Sequence, residues 1–374
     1  MKVINVSPIW FHKGEGISEV VKNHHTTFKK LGVETRLIQT NHIESLALPI
    51  NNKSLYDAVK EDMIKVTSIA SLLRWLNYYK GEVFIVHGVF QPKILFTLVF
   101  LFFMRQKYIV IPHSSLSYNA FSSGSFIKRV LYKSLIQYLL KKSFFVMYLN
   151  EDEKVSGIYK NKNVEVFNNG VCVPCSVDYR TNERNLYDGD DIVKLIYFGR
   201  YDIKHKGIDY LLSFVNFLDK SKPQFRWTLA LYGTDSKNGL KYINSFVESH
   251  NLSDKVSVNN AVYGDEKDQV LSSSGVFLLT SRYEGMPIAV LEALKNGVPC
   301  LLTKETNMLS PLLDTGIAEE FFIDDFERSY SSLIKLSDPN SREKIRAACH
   351  TLVENKYSWE VICKMILNKI NSAN

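Results

Sequence analysis

The feature that most restricts this chain is an alternation of short β-rich runs with helix-length runs, which proceeds through the first half and then begins again. Residues 2–6 predict a strand. A helix over 17–31 follows, with Gly32 where a C-cap glycine belongs. Further strands are expected at 34–39, 83–87, 108–113, 144–149 and 164–167. The apolar run 94–104 is eleven residues long, against about 20 needed to span a bilayer, and reads as a buried helix. Residues 126–142 read as an amphipathic helix carrying Lys128, Arg129, Lys133, Lys141 and Lys142. Strands alternating with helices imply a doubly wound, mostly parallel sheet.

The second half restarts after the polar stretch 180–191, which reads as a loop. Strands are expected at 193–198, 227–232, 256–259, 276–280 and 299–303, and helices at 207–218, 240–250 and 287–296. The expectation is α/β with two Rossmann-like domains: 1–170, a linker at 171–190, and 191–355. A final helix within 356–374 has no strand after it and is expected to pack back on the first domain. A chain of 374 residues can give each of two domains its own core.

Charge is uneven. Residues 1–174 hold 22 Lys and Arg against 12 Asp and Glu, whereas 175–374 hold 24 against 27. A basic half suits an anionic partner such as a membrane surface or phosphorylated lipid. Met1–Ser7 reads as a first strand rather than a secretory leader. The 5 cysteines lack framework spacing, which fits a reducing cytoplasm. Cys172 and Cys175 form a CxxC with no second pair to complete a zinc site.

Two segments concentrate chemistry. In 281–299 a strand ends, Glu284 and Gly285 make a tight turn, and Pro287 is expected in the first helical turn, where its missing N–H costs nothing. Backbone N–H groups near 286–288 then point out of the helix start and suit an anion or sugar oxygens. Glu292 follows about two turns into the helix. In 198–207 a basic loop joins a strand to a helix. Arg200 offers a planar fork for phosphate and Lys206 a mobile point charge. In the first half Gly14 and Gly16 lie between strand and helix without making the dinucleotide fingerprint. His87 and His113 each end a strand, on the edge where open α/β sheets bind ligands.

The ordered set resembles the retaining glycosyltransferases of family 4. Glu284…Glu292 with GMP, LEAL and NGVP matches that family's paired-glutamate motif, and GR…KG at 199–207 its diphosphate loop. The glycine loop, VHG at 86–88, PHS at 112–114, NNGV at 168–171, LYG at 231–233 and YSW at 357–359 run the length of the chain. The resemblance implies a GT-B fold, two Rossmann-like domains facing an interdomain cleft, with the donor in the C-terminal domain, retention of configuration and no metal. It implies that Arg200 and Lys206 neutralise the diphosphate, that Glu284 binds donor-sugar hydroxyls and that Glu292 holds the ribose. Gly285, Met286 and Pro287 would contact sugar and phosphate, Gly16 the phosphates, and His113 the transferred sugar. Five residues separate Arg200 from Lys206 where four is commoner, which leaves Lys204 as an alternative partner.

The expected activity is transfer of a hexose from a nucleoside-diphosphate sugar, UDP favoured over GDP, to a lipid-linked or oligosaccharide acceptor. The expected setting is bacterial surface polysaccharide or lipopolysaccharide assembly, in the cytoplasm or on the inner face of its membrane. No cofactor and no nucleic-acid partner are expected. No carboxylate stands out as a nucleophile, which favours front-face attack with the leaving phosphate taking the acceptor's proton. Asp188-Gly-Asp190 reads as surface. The alternatives are a sugar-nucleotide 2-epimerase of the same fold and a non-catalytic sugar-nucleotide-binding subunit.

Overall fold

A computed structural model of the chain describes residues 1–10, 16–41, 53–113, 115–118, 121, 126–173 and 192–372. Gly14, Cys175, Asp188, Asp190 and nearly all of the expected linker lie outside the described residues. The chain divides into two compact units, Met1–Cys172 with Trp359–Asn374, and Val173–Ser358.

Among the described residues the first unit has seven strands: β1 (Lys2–Ser7), β2 (Glu34–Gln39), β3 (Met63–Lys65), β4 (Val83–His87), β5 (Lys107–Ile111), β6 (Phe145–Tyr148) and β7 (Val164–Val166). Their order is β3-β2-β1-β4-β5-β6-β7, and the pairs are parallel. The second unit has β8 (Val193–Phe198), β9 (Trp227–Gly233), β10 (Val256–Asn260), β11 (Val276–Leu279), β12 (Cys300–Leu302) and β13 (Ala318–Glu320). Its order, β10-β9-β8-β11-β12-β13, is also parallel throughout. Central strands read as near-continuous apolar runs because helices cover both faces of such a sheet; β4 and β11 are buried at every position. In each sheet the winding reverses beside the first strand, between β1 and β4 and between β8 and β11. Open α/β sheets bind ligands at such switch points.

Several local expectations need correction. The basic loop is partly helical: Ile203–Lys206 form one turn, capped by the Asp202 carboxylate, which accepts from the His205 N–H at 3.1 Å. The following helix starts at Ile208 and runs to Ser221. Pro287 is not in the first helical turn. With ψ at 113° it is the extended residue before the helix Ile288–Lys295. The apolar helix, Pro92–Phe103, buries Ile94, Leu98 and Leu101 but exposes Phe96 and Phe103. The 126–142 stretch is helical throughout, with a π-turn at Tyr132–Ile136. No helix among the described residues is long and apolar enough to cross a membrane.

The last helix, Trp359–Asn371, belongs to the first unit and buries Trp359, Ile362, Ile366 and Ile370. The Lys107 ammonium donates to the Ile370 carbonyl at 3.0 Å, and Lys369 pairs with Glu165 at 2.5 Å.

Candidate functional site

In the second unit the loops leaving β8 and β11 meet over the switch point. The turn 203–206 ends at Gly207, whose φ is +60°. A Cβ there would lie 1.9 Å from the Thr280 carbonyl oxygen, so only glycine fits. The Thr280 hydroxyl donates to the Gly207 carbonyl at 2.8 Å. Arg282 fastens the two loops further. Its backbone N–H donates to the His205 carbonyl at 2.9 Å. Its guanidinium donates to the Lys204 carbonyl at 2.8 Å and forks onto Asp209 at 2.8 and 2.6 Å. It also lies 3.9 Å above the Tyr210 ring. The His205 ring stacks on Tyr283 with centroids 4.1 Å apart.

This clamp brings the charged candidates together. The Lys206 ammonium lies 2.5 Å from Oε1 of Glu284, and the Ser281 hydroxyl donates to the same oxygen at 2.6 Å. Lys206, rather than Lys204, is the lysine that meets Glu284. The Glu284 backbone is also held: its N–H donates to the Glu305 carbonyl at 3.1 Å and its carbonyl accepts from Asn307 at 2.6 Å. Arg200 is exposed on the loop that leaves β8. The buried Tyr197 hydroxyl donates to the Arg200 carbonyl at 3.0 Å. Burial, and after it the Glu284 charge, pushes the Tyr197 phenol well up. His205 is lowered chiefly by burial, and its ring feels Glu284, Lys206 and Arg200 together.

Gly285, Met286 and Pro287 lead into the helix Ile288–Lys295, with Met286 and Pro287 buried. The Val290 N–H donates to the Pro287 carbonyl at 3.2 Å, and the N–H groups of Ile288 and Ala289 lie ahead of the first intrahelical bond. Glu292, on that helix, pairs with Lys267 at 2.6 Å. The Lys267 ammonium also lies 4.9 Å from the Phe198 ring centroid. Sequence reading missed Lys267. It sits in a polar helix, Asp265–Ser272, whose composition suggests only a solvated face. Sequence reading also missed Ser281 and Arg282, although both lie inside the quoted motif.

In the first unit His87 is the last residue of β4 and His113 follows β5 by two positions. His113 has φ +50°, a left-handed conformation uncommon for a side-chain-bearing residue. Its Nε2 lies 3.0 Å from His87 Nδ1, and the rings stack at 5.2 Å. Burial keeps both neutral: His87 is held well below its usual range and His113 is pushed down to about 4. Gly16 opens the helix Gly16–Lys30, and a Cβ there would meet nothing within 4 Å, so local packing does not require glycine.

Comparison with known proteins bears on this second-unit geometry directly. Residues 181–348 match the family model Glycosyl transferases group 1. That group 1 segment contains both loops of the switch point. A protein of Klebsiella pneumoniae described as an uncharacterized 41.2 kDa protein in the cps region is 24% identical over 373 residues, covering 91% of this chain and 94% of its own. The probable sucrose-phosphate synthase of Thermosipho melanesiensis is 30% identical over 100 residues, covering 27% of this chain and 23% of its own. Among solved structures, HepE of Anabaena in complex with UDP and glucose has a TM-score of 0.76 at 13% identity, covering 100% of both chains. The lipopolysaccharide outer core galactosyltransferase WaaB, in its apo form, has a TM-score of 0.70 at 14% identity, again over 100% of both chains. The α/β fold, two Rossmann-like halves with parallel sheets, is therefore that of GT-B glycosyltransferases.

Proposed function

We propose that this chain is a retaining hexosyltransferase that moves a sugar from a nucleoside-diphosphate donor, UDP favoured over GDP, to a lipid-linked or oligosaccharide acceptor in bacterial surface polysaccharide assembly. The observation that carries the reading is the contact of Lys206 with Glu284 ahead of the helix Ile288–Lys295, with Arg200 exposed on the loop that leaves β8. Two cations and a helix start suit a leaving diphosphate. Preorganised charge of this kind is usually the largest contribution to catalysis. In this reading Arg200 and Lys206 stabilise the departing phosphates and Glu284 binds donor-sugar hydroxyls. Gly285, Met286 and Pro287 contact sugar and phosphate, and Glu292 holds the ribose. For Gly16 and His113 the family resemblance implies contacts with the phosphates and the transferred sugar. The chemistry needs no metal, and the leaving phosphate takes the acceptor's proton.

The Klebsiella relative's cps region and the WaaB likeness support a surface-polysaccharide setting, and the UDP and glucose in HepE support the donor class. The lipid-linked acceptor rests on the basic first half and on the 126–142 helix, where Phe126, Ile127 and Val130 are exposed beside Arg129. Apolar side chains among cations favour anionic lipid surfaces, which supports a peripheral position on the inner face of the membrane.

The test is a thermal-shift screen against UDP, GDP and their hexoses, since ligands of the native state raise the midpoint. It is followed by NMR of the transferred sugar's anomeric signal. A shift with UDP that Arg200→Ala abolishes supports the reading. A midpoint indifferent to both nucleotides, or an inverted product, sinks it.

A further inference from the structure

A continuous polar chain runs through the first unit from His113 to Asp62. His113 Nε2 meets His87 Nδ1 at 3.0 Å, and His87 Nε2 meets Asn5 Oδ1 at 3.3 Å. The Asn5 amide nitrogen meets Thr35 Oγ1 at 3.3 Å, Thr35 Oγ1 meets His25 Nδ1 at 3.2 Å, and His25 Nε2 meets Asp62 Oδ2 at 3.2 Å. Asn5, Thr35, His25 and His87 are all at most 2% exposed. Asp62 is further held by Lys29 at 2.7 Å and Arg36 at 2.8 Å.

The direction of every bond follows from the far end. A carboxylate flanked by two cations only accepts. His25 therefore donates from Nε2, and as a neutral ring it must accept at Nδ1. Thr35 has one hydroxyl proton, which goes to His25, so its oxygen accepts from Asn5. The Asn5 amide then faces Thr35 with nitrogen and His87 with oxygen, and His87 must carry its proton on Nε2. Its bare Nδ1 accepts from His113, which carries its proton on Nε2 as well. A buried network with every member satisfied is rigid. The second nitrogen of His113, Nδ1, has no hydrogen-bond partner among the described residues.

We infer that the Asp62–His25–Thr35–Asn5–His87 chain locks His113 as its Nε2–H tautomer, so that its remaining nitrogen can only accept a hydrogen bond. Asp62, His25, Thr35 and Asn5 are thus positioning residues. Resting on the proposed glycosyl-transfer reading, this selects the group His113 can meet: a sugar hydroxyl, which can donate, and not a phosphate oxygen, which cannot.

The test is long-range proton–nitrogen correlation on the ligand-free full chain with labelled histidine, where each tautomer has its own pattern. Because no ligand is present, its outcome is independent of whether the chain transfers sugar. The expected result is the Nε2–H pattern for His25, His87 and His113. Thr35→Val should turn His87 and His113 into tautomer mixtures, and Thr35→Ser should restore the single pattern. His250, in the second unit, should be unmoved in all three proteins. An Nδ1–H pattern or a mixture at His113 in the wild-type chain overturns the inference, as does a Thr35→Val spectrum identical to wild type. If Thr35→Val does not fold, the wild-type spectrum decides alone. In the wild type, titration with UDP-hexose should move the His113 Nδ1 signal further than UDP does; equal movement overturns the hydroxyl assignment while leaving the tautomer intact.

Discussion

The Lys206 ammonium and the Glu284 carboxylate sit 2.5 Å apart, with side chains only 15% and 11% exposed. In the proposed reaction each serves a different part of the donor: the lysine the diphosphate and the glutamate the sugar. Their contact in the free chain preorganises both, because each charge is already positioned by the other and by Ser281. Glu284→Gln keeps the volume and the Ser281 hydrogen bond but removes the charge. It should lower kcat/KM by about 10²–10³-fold, the usual effect of losing one preorganised group. Lys206→Ala should act similarly. The double variant should lose less than the product of the two, since contacting residues are non-additive. Steady-state release of nucleoside diphosphate measures this; a Glu284→Gln chain with wild-type kcat/KM removes the assignment.

Arg282 holds the same site from outside it. Its fork onto Asp209, its stack on Tyr210 and its bond to the Lys204 carbonyl all use guanidinium geometry that an ammonium does not reproduce. Arg282→Lys should therefore cost stability. Both Arg282 and Asp209 are about a third exposed, which discounts the pair toward about 1 kcal/mol. It should also raise the donor KM, because the turn carrying Lys206 loses its tether to the β11 loop. Urea midpoints and donor titrations check both effects. Full retention of both by the lysine variant contradicts the tethering role.

Much of this site was legible beforehand because its residues fall within short segments that begin where strands end. The pattern of Phe198, then Arg200, then Gly207 places cations on a strand-to-helix crossing whatever the tertiary detail, and Glu284 before Pro287 does the same for the second loop. The residues that join those loops were not legible. Arg282 meets Asp209, and Glu292 meets Lys267, across separations that no helical or strand period encodes. The edge strands β3 and β13 escaped for another reason. Three residues such as Met63–Lys65 give no alternation to read, and only the neighbouring strand makes them a strand. In sequence the turn Ile203–Lys206 reads as a loop because Ile-Lys-His-Lys has no apolar face of its own. Its structure comes from the Asp202 cap and from Gly207.

Gly207 offers a sharper test of the crossing. Its φ of +60° is costly for other residues, and an added Cβ would press against the Thr280 carbonyl, which belongs to backbone and cannot rotate away. Gly207→Ala should destabilise by about 2–4 kcal/mol, as overpacking and backbone strain combine. Any folded fraction should bind donor less well, because the turn carrying Lys206 must shift. Gly16→Ala, where a Cβ meets open space, should leave the urea midpoint within about 0.5 kcal/mol of wild type. Equal stability losses at the two glycines would contradict this packing account.

Acid should unfold the first unit through its buried histidines. Burial drives His24 down to about 3, with a smaller contribution from His113; it drives His113 itself down to about 4, and His87 lies well below 6.5. Between the unfolded value near 6.5 and these folded values the unfolded chain binds more protons than the native one. Stability must therefore fall as pH drops through that window, by up to about 1.4 kcal/mol per pH unit for each such histidine. Asp62 acts lower on the scale. Burial raises it, but hydrogen bonds from Lys29 and His25 outweigh that and hold it below 3.8, so its contribution is lost only in stronger acid. His24 is the informative position: neither ring nitrogen has a polar partner among the described residues, and the ring packs edge-on against Trp359 at 5.1 Å. His24→Leu should keep a folded chain at pH 7.5, since a buried polar group without a partner gains nothing from its polarity. It should also lose less stability than wild type between pH 7.5 and 5. Urea midpoints at the two pH values, followed by tryptophan fluorescence, give the slopes; equal slopes would mean that the His24 ring takes up its proton without leaving the fold.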